Sequence, residues 1–237
     1  MPRRLIITID GPAGAGKSTV GKRLAQWLEY LYLDSGALYR AIALAAGRQH
    51  RNLDDAQVLE AFLDAVDLRV TTGPEGLRLW SQGQEITQAI RQPWVGQAAS
   101  RVATLIPVRQ WIGARLREWG KNGGIVTEGR DMGTMVFPHA EVKIYLDADP
   151  EVRAQRRRQE LEDQGRDISP DQVRADLAAR DQRDRQRQEG PLCIPPGAQV
   201  IDSTNLSLEE VVNACQKLIR PVLAQSASQP GSAKHQL

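Results

Sequence analysis

Residues 11–18 read Gly-Pro-Ala-Gly-Ala-Gly-Lys-Ser, a full match to the pattern G-x-x-x-x-G-K-[ST]. Glycines at these spacings let backbone N–H groups face phosphate oxygens, and a helix starting at the lysine adds partial positive charge. Lys17 is then placed to reach the β- and γ-phosphates, and the Ser18 hydroxyl to ligate Mg²⁺. The expected ATP-phosphate site is Gly11, Pro12, Ala13, Gly14, Ala15, Gly16, Lys17, Ser18 and Thr19. An apolar run, Leu5 to Ile9, precedes the motif and a helical stretch from Lys17 to about Glu29 follows it. That strand–turn–helix context is the one the motif requires. The chemistry is either phosphoryl transfer or nucleotide-gated switching. No N-K-x-D guanine-reading element follows, and Leu146-Asp147-Ala148-Asp149 could imitate a strand-terminal acidic site. The size and insertions favour a small-molecule kinase.

Two further segments carry an arginine and polar side chains after a short apolar run: Leu33-Asp34-Ser35-Gly36-Ala37-Leu38-Tyr39-Arg40 and Thr127-Glu128-Gly129-Arg130-Asp131-Met132-Gly133-Thr134. If both runs are parallel strands, both segments lie at the carboxyl edge where an open α/β sheet binds ligands. A third group is helical. Val173, Leu177, Arg180, Asp184 and Arg187 recur at spacings of 4, 3, 4 and 3, so they share one helix face. That stripe turns from apolar to charged without changing side. It either leaves the core for a polar cleft or ends as a solvated arginine-rich face. Arg153 and Arg157, at i and i+4, precede Gly165-Arg166-Asp167. They could belong to a lid that excludes water from transfer, or to surface ion pairs.

The elements that must position these groups follow from periodicity. Leu5–Ile9, Leu31–Leu33, Ile125–Thr127, Val142–Leu146 and Val200–Ile201 read as strands buried on both faces, separated by helices. The fold class is therefore α/β, a parallel five-stranded sheet flanked by helices. Asp149-Pro150, Ser169-Pro170-Asp171-Gln172 and Ser207-Leu208-Glu209-Glu210 mark helix starts. Residues 67–86, punctuated by Gly73, Gly76 and Gly83, read as a small antiparallel meander inserted in that core. From Gln225 the composition is that of a disordered tail.

Composition narrows the partners. The chain has 237 residues with a net charge of +2, and all but six of its 31 basic residues are arginine. Near-neutrality argues against a surface for duplex nucleic acid, while arginine suits bidentate phosphate recognition. Two cysteines are too few for a metal cluster or a disulfide framework. The N-terminal apolar run stops at Asp10, too soon for a signal peptide or membrane span. A cytoplasmic protein with no membrane or nucleic-acid partner is expected.

Together, IDGPAGAGKST (9–19), LDSGALYR (33–40), EGRDMGT (128–134), KIYLDA (143–148) and RDQRDRQRQEGPL (180–192) resemble the bacterial cytidylate kinases in order and spacing, from about Leu5 to Ala224. The resemblance implies a P-loop NTPase fold in one domain, 1–224, with a monophosphate-binding insertion at about 36–107, a helical lid at about 153–172, and a tail at 225–237. It implies transfer of the ATP γ-phosphoryl group to CMP or dCMP by a monomer, with Mg²⁺ as the cofactor. By position, Arg40 and Arg130 would hold the CMP phosphate. Ser100, Arg109, Asp131 and Arg187 would read cytosine with Ser35 nearby, and Arg180 and Asp184 would contact the ribose. Lys17 and Arg130, with Arg153 and Arg157 from the lid, would be catalytic. Glu128, where the family commonly has aspartate, would assist the Mg²⁺ held by Ser18, through water. Kinases for UMP, dTMP or shikimate, and a nucleotide-gated binding protein, are the alternatives.

Overall fold

The computed structural model describes residues 4–73, 76–163 and 165–228. Five parallel strands, β1 (Ile6–Asp10), β2 (Leu31–Asp34), β6 (Ile125–Gly129), β7 (Val142–Asp147) and β8 (Gln199–Asp202), form one sheet in the order β2-β6-β1-β7-β8. The expected strands are all present, β1 shifted by one residue from its apolar run and the others one or two residues longer than theirs. Ile7, Ile9, Val126, Ile144 and Leu146 are fully enclosed, as strands covered on both faces require. Burying each such side chain contributes about 1.5–3 kcal/mol.

Helices cover the sheet. On one face, α1 (Lys17–Leu28) and α8 (Leu208–Ser228) pack on Leu5, Ile7, Ile9 and Val126. On the other, α2 (Ser35–Arg48), α3 (Ala56–Ala65), α4 (Pro93–Val102) and α5 (Ile106–Gly120) share a core with Leu33 and Ile125. The meander expected at 67–86 is a three-stranded antiparallel sheet, β3 (Leu68–Gly73), β4 (Gly76–Ser81) and β5 (Gln84–Glu85), joined to that second core through buried Leu79. A smaller third cluster is built from Ala13, Ala154, Leu161, Val173 and Leu177. It ties α6 (Pro150–Glu162) and α7 (Pro170–Arg185) to the phosphate loop.

The capping residues act as expected. Asp149 accepts from Glu151 N–H at 2.8 Å, Ser169 from Gln172 N–H at 3.2 Å, and Ser207 and Glu210 bond reciprocally. Two boundaries differ. Helix α7 ends at Arg185, so Arg187 lies just beyond it. Helix α8 continues to Ser228, four residues into the expected tail, because Val222 and Leu223 still pack on the core beside α1. The remainder of that tail, 229–237, lies outside the described residues, as do positions 74 and 75 of the meander and 164 of the expected lid.

Strand order explains the site. Since β1 lies beside β6 and β6 beside β2, the segments after these three strands emerge side by side at one carboxyl edge. The sequence segments starting at Gly11, Ser35 and Arg130 are thereby neighbours.

Candidate active site

The phosphate loop is held from below. Gly11 has φ +149° and a Cβ there would lie 2.0 Å from the Leu146 carbonyl oxygen of β7. Gly14 has φ +78° and would meet the Arg153 carbonyl at 2.9 Å. Glycine is required at both places by conformation and by space. Lys17 is buried and its ammonium donates to the Pro12 carbonyl at 2.6 Å. Burial, then Arg130, brings its pKa from 10.5 down to about 7, against the pull of Glu128 and Asp10. Of the nine expected loop residues, Ala13, Gly14, Gly16, Lys17, Ser18 and Thr19 line the cleft, while Gly11, Pro12 and Ala15 support it from behind.

The cleft encloses about 610 Å³, within the roughly 300–1,000 Å³ of small-molecule sites. Its centre is cationic. Arg40 on α2, Arg91 before α4, Arg130 after β6, Arg157 on α6 and Arg180 on α7 all line it with Lys17. Burial, then Arg130, lowers the Arg180 guanidinium from 12.5 to about 9. Arg40 is lowered by burial; Asp34 opposes this, while Arg157, Arg91 and Arg130 add to it. Among the described residues, the side chains of Arg40, Arg91 and Arg180 make no ion pair. Like charges gathered in one cleft and not taken up by ion pairs leave a potential that phosphate groups neutralise.

The far end of the cleft is organised by buried pairs. Asp184, fully enclosed, receives Arg130 Nε at 2.7 Å on one oxygen and Arg187 on the other. Burial works to raise its carboxyl, but Arg130, Arg187 and Arg180 hold it below the usual range. Asp131 pairs with Arg109 of α5, which also donates to Ala103 O at 3.1 Å. Gly190 seals this pair, for a Cβ there would lie 2.1 Å from Arg109 and 2.4 Å from Asp131. Asp131 lines the cleft and Arg109 stands behind it. Ser35 donates to Glu128 O at 2.7 Å, and Ser100 accepts from Arg183 Nε at 3.2 Å. The loop bearing Arg130 and Asp131 is fixed by Asp10, whose oxygens accept from Met132 N–H at 2.8 Å and Gly133 N–H at 2.7 Å.

One of the expected catalytic residues is placed differently. Arg153 is buried beneath the phosphate loop rather than on the cleft. Its Nη1 donates to Ala13 O at 3.0 Å and to Asp181 at 2.6 Å, and its Nε to Ala148 O at 3.0 Å. Asp181 in turn accepts from Ala13 N–H at 3.3 Å. Arg153 and Asp181 thus grip one loop residue by its carbonyl and its amide. Arg157, one turn on, does face the cleft and pairs with Glu160 at 2.8 Å.

Magnesium, with its preference for oxygen, fits the remaining groups. Ser18 faces the cleft, and Glu128 lies beside it with Asp34 near enough to raise the Glu128 carboxyl after burial has done so. A hydroxyl and one or two carboxylates, completed by phosphates and water, are what this ion takes. Asp10, Tyr32, Tyr39, Arg91 and Asp181 carry no role in the motif reading. Partners distant in sequence give Asp10, Tyr32 and Asp181 theirs, while Tyr39 and Arg91 line the cleft.

A family model described as cytidylate kinase matches residues 7–221. A cytidylate kinase of Solibacter usitatus (strain Ellin6076) is 44% identical over 220 residues, covering 92% of this chain and 93% of the relative. A bifunctional pantoate ligase/cytidylate kinase of Synechococcus sp. (strain JA-3-3Ab) is 44% identical over 229 residues. The match takes in 95% of this chain but 42% of that relative's length. The solved structure of an uncharacterized protein from Eubacterium ventriosum ATCC 27560 shares the fold, with TM-score 0.52 and 12% identity over 92% of this chain and 99% of its own.

Proposed function

The chain belongs to the cytidylate kinase family, and from that premise we propose that it transfers the γ-phosphoryl group of ATP to CMP or dCMP, giving ADP and CDP or dCDP. The observation that carries this reading is a single cleft in which the phosphate loop, a cluster of arginines of which Arg40, Arg91 and Arg180 make no ion pair among the described residues, and the buried Arg109–Asp131 pair succeed one another.

The acceptor oxygen is already anionic at neutral pH, so no strong general base is needed. Catalysis comes from alignment and charge neutralisation. Lys17 leaves the Pro12 carbonyl to meet the donor phosphates, whose charge restores its proton. Arg40 and Arg130 hold the acceptor phosphate, Arg180 and Asp184 take the ribose, and Arg157 reaches in from the lid. Ser18, with Glu128 acting through water, would hold magnesium, which supplies charge neutralisation at the donor phosphates.

Base choice falls to Asp131 with Ser100, Arg109 and Arg187, and Ser35 nearby. Cytosine offers an amino donor where uracil offers a carbonyl. A carboxylate held by Arg109 accepts the first and repels the second. The protein acts as a cytoplasmic monomer on free nucleotides, and no helix among the described residues is long and apolar enough to cross a membrane. ADP release measured across CMP, dCMP, UMP, dTMP and shikimate tests the proposal. CMP and dCMP should be turned over far faster than the rest. Preference for another acceptor, or acceptor-independent ATP turnover, would overturn it.

A further inference from the structure

We propose that Tyr32 is a positioning residue for the magnesium carboxylate. Its phenol occupies one oxygen of Glu128 and leaves the other for the Ser18 side of the cleft. The inference rests on the kinase reading above only in taking Ser18 and Glu128 as the groups that serve the metal.

Tyr32 and Glu128 are on adjacent strands, with Tyr32 paired to Val126 and Asp34 to Glu128. Alternation puts Tyr32 and Glu128 on the same face, and the tyrosine's length closes the diagonal gap of two positions. Its hydroxyl donates to Glu128 Oε1, and both side chains are buried. The ring cannot swing aside. It is packed against α1 at Gly21, where a Cβ would lie 2.9 Å from the ring's Cε2, and Lys22 Nζ sits 6.0 Å from its centroid. Gly21 therefore serves as the seat of this ring.

A glutamate has one more rotatable bond than an aspartate and would wander without a support. Tyr32 supplies that support, where an aspartate at 128 would fall a methylene short of it. The chain thereby keeps the long carboxylate in register with the phosphate loop.

The test separates metal positioning from simple core packing. Mn²⁺ is titrated into the full chain with ADP, without acceptor, and free ion is read by electron paramagnetic resonance. Tyr32→Phe keeps the ring and removes only the hydroxyl, and should weaken Mn²⁺ binding by about 10-fold, the low end for loss of a group that orients a ligand. CMP affinity measured by calorimetry without metal should stay within about twofold. In the Glu128→Asp background the same change should be nearly silent, because the shorter carboxylate no longer reaches the phenol. Unchanged Mn²⁺ affinity, an equal loss in both backgrounds, or a parallel loss of CMP affinity would each overturn the assignment. If CMP proves not to be turned over yet the Mn²⁺ shift and its non-additivity are seen, Tyr32 keeps its role and the acceptor reading alone fails.

Discussion

Lys17 sits at a pKa of about 7 because burial and Arg130 outweigh its anionic neighbours. A lysine depressed in the folded state costs stability wherever the unfolded lysine is charged and the folded one is not. From pH 7 to 10.5 the unfolded chain binds more protons, so stability should rise with pH across that window. Lys17→Met should abolish that rise in urea titrations at pH 7 and 9.5. It should also cut kcat on the order of 10³-fold or more, as loss of a transition-state cation does. A folded variant with near-normal turnover would remove the phosphate-loop mechanism. Asp131 permits a sharper test at the same scale. Its neighbour Arg130 is engaged by Asp184 instead, and its own partner is Arg109. Asp131→Asn replaces one acceptor oxygen with an amino donor able to face uracil O4. It should lose CMP activity and narrow a CMP/UMP ratio that a built hydrogen bond can carry to roughly 10⁴. Measuring kcat/KM for both substrates in both proteins checks this, and an unchanged ratio would sink Asp131 as the base reader. At this scale motif residues were legible because contiguous spacing announces them. Asp10 and Tyr32 were not, since each acquires meaning only from a partner distant in sequence, and neither was Arg91, which only the fold brings to the cleft.

Helix α6 shows why element-level reading fails where two roles share one face. Arg153 and Arg157 are an i, i+4 pair, and nothing in their spacing separates a brace from an arm. Packing does, because the N-terminal turn of α6 lies under Gly14 while the next turn has cleared the loop edge. Asp181, the partner that fixes Arg153, is 28 residues away and sits beside Arg180, which faces the cleft. The stripe through Val173, Leu177, Arg180 and Asp184 was legible as one face that leaves the core, but its spacing left a polar cleft and a solvated end equally open, and the fold puts it in the cleft. Which of its charges pair, and that α7 ends before Arg187, required the fold. Arg153→Met should strand the buried Asp181 carboxylate and destabilise the protein by about 3–5 kcal/mol. Chemical denaturation measures that, and Arg153→Met/Asp181→Leu should recover part of it. Arg157→Met, by contrast, should leave stability within about 0.5 kcal/mol while lowering kcat.

Across the whole molecule, five parallel strands flanked by helices followed from strand–helix alternation, whereas the order β2-β6-β1-β7-β8 required the fold. The relation between lid and insertion did not, since it rests on single contacts such as Arg166 Nη2 donating to Arg91 O at 3.2 Å. Binding both substrates should draw these two parts together over the cleft. Hydrogen exchange with and without a bisubstrate analogue should show added protection within 67–86 and 153–167, and no change in either would sink the lid assignment. The cluster beneath the lid has a further consequence. It comprises five buried residues, Ala13, Ala154, Leu161, Val173 and Leu177, the last three small or mid-sized aliphatics on two highly charged helices. So thin a core makes this the cheapest part of the chain to open locally. The segment it would release carries Arg158, half exposed, and Arg166 beside Gly165. Limited trypsin should cut there first and sever the phosphate loop from Arg180 of α7 and from Arg187 just beyond it. Saturating nucleotides should slow that cut in proportion to occupancy, so the same ligands that set the enzyme's turnover would also set its lifetime against proteolysis.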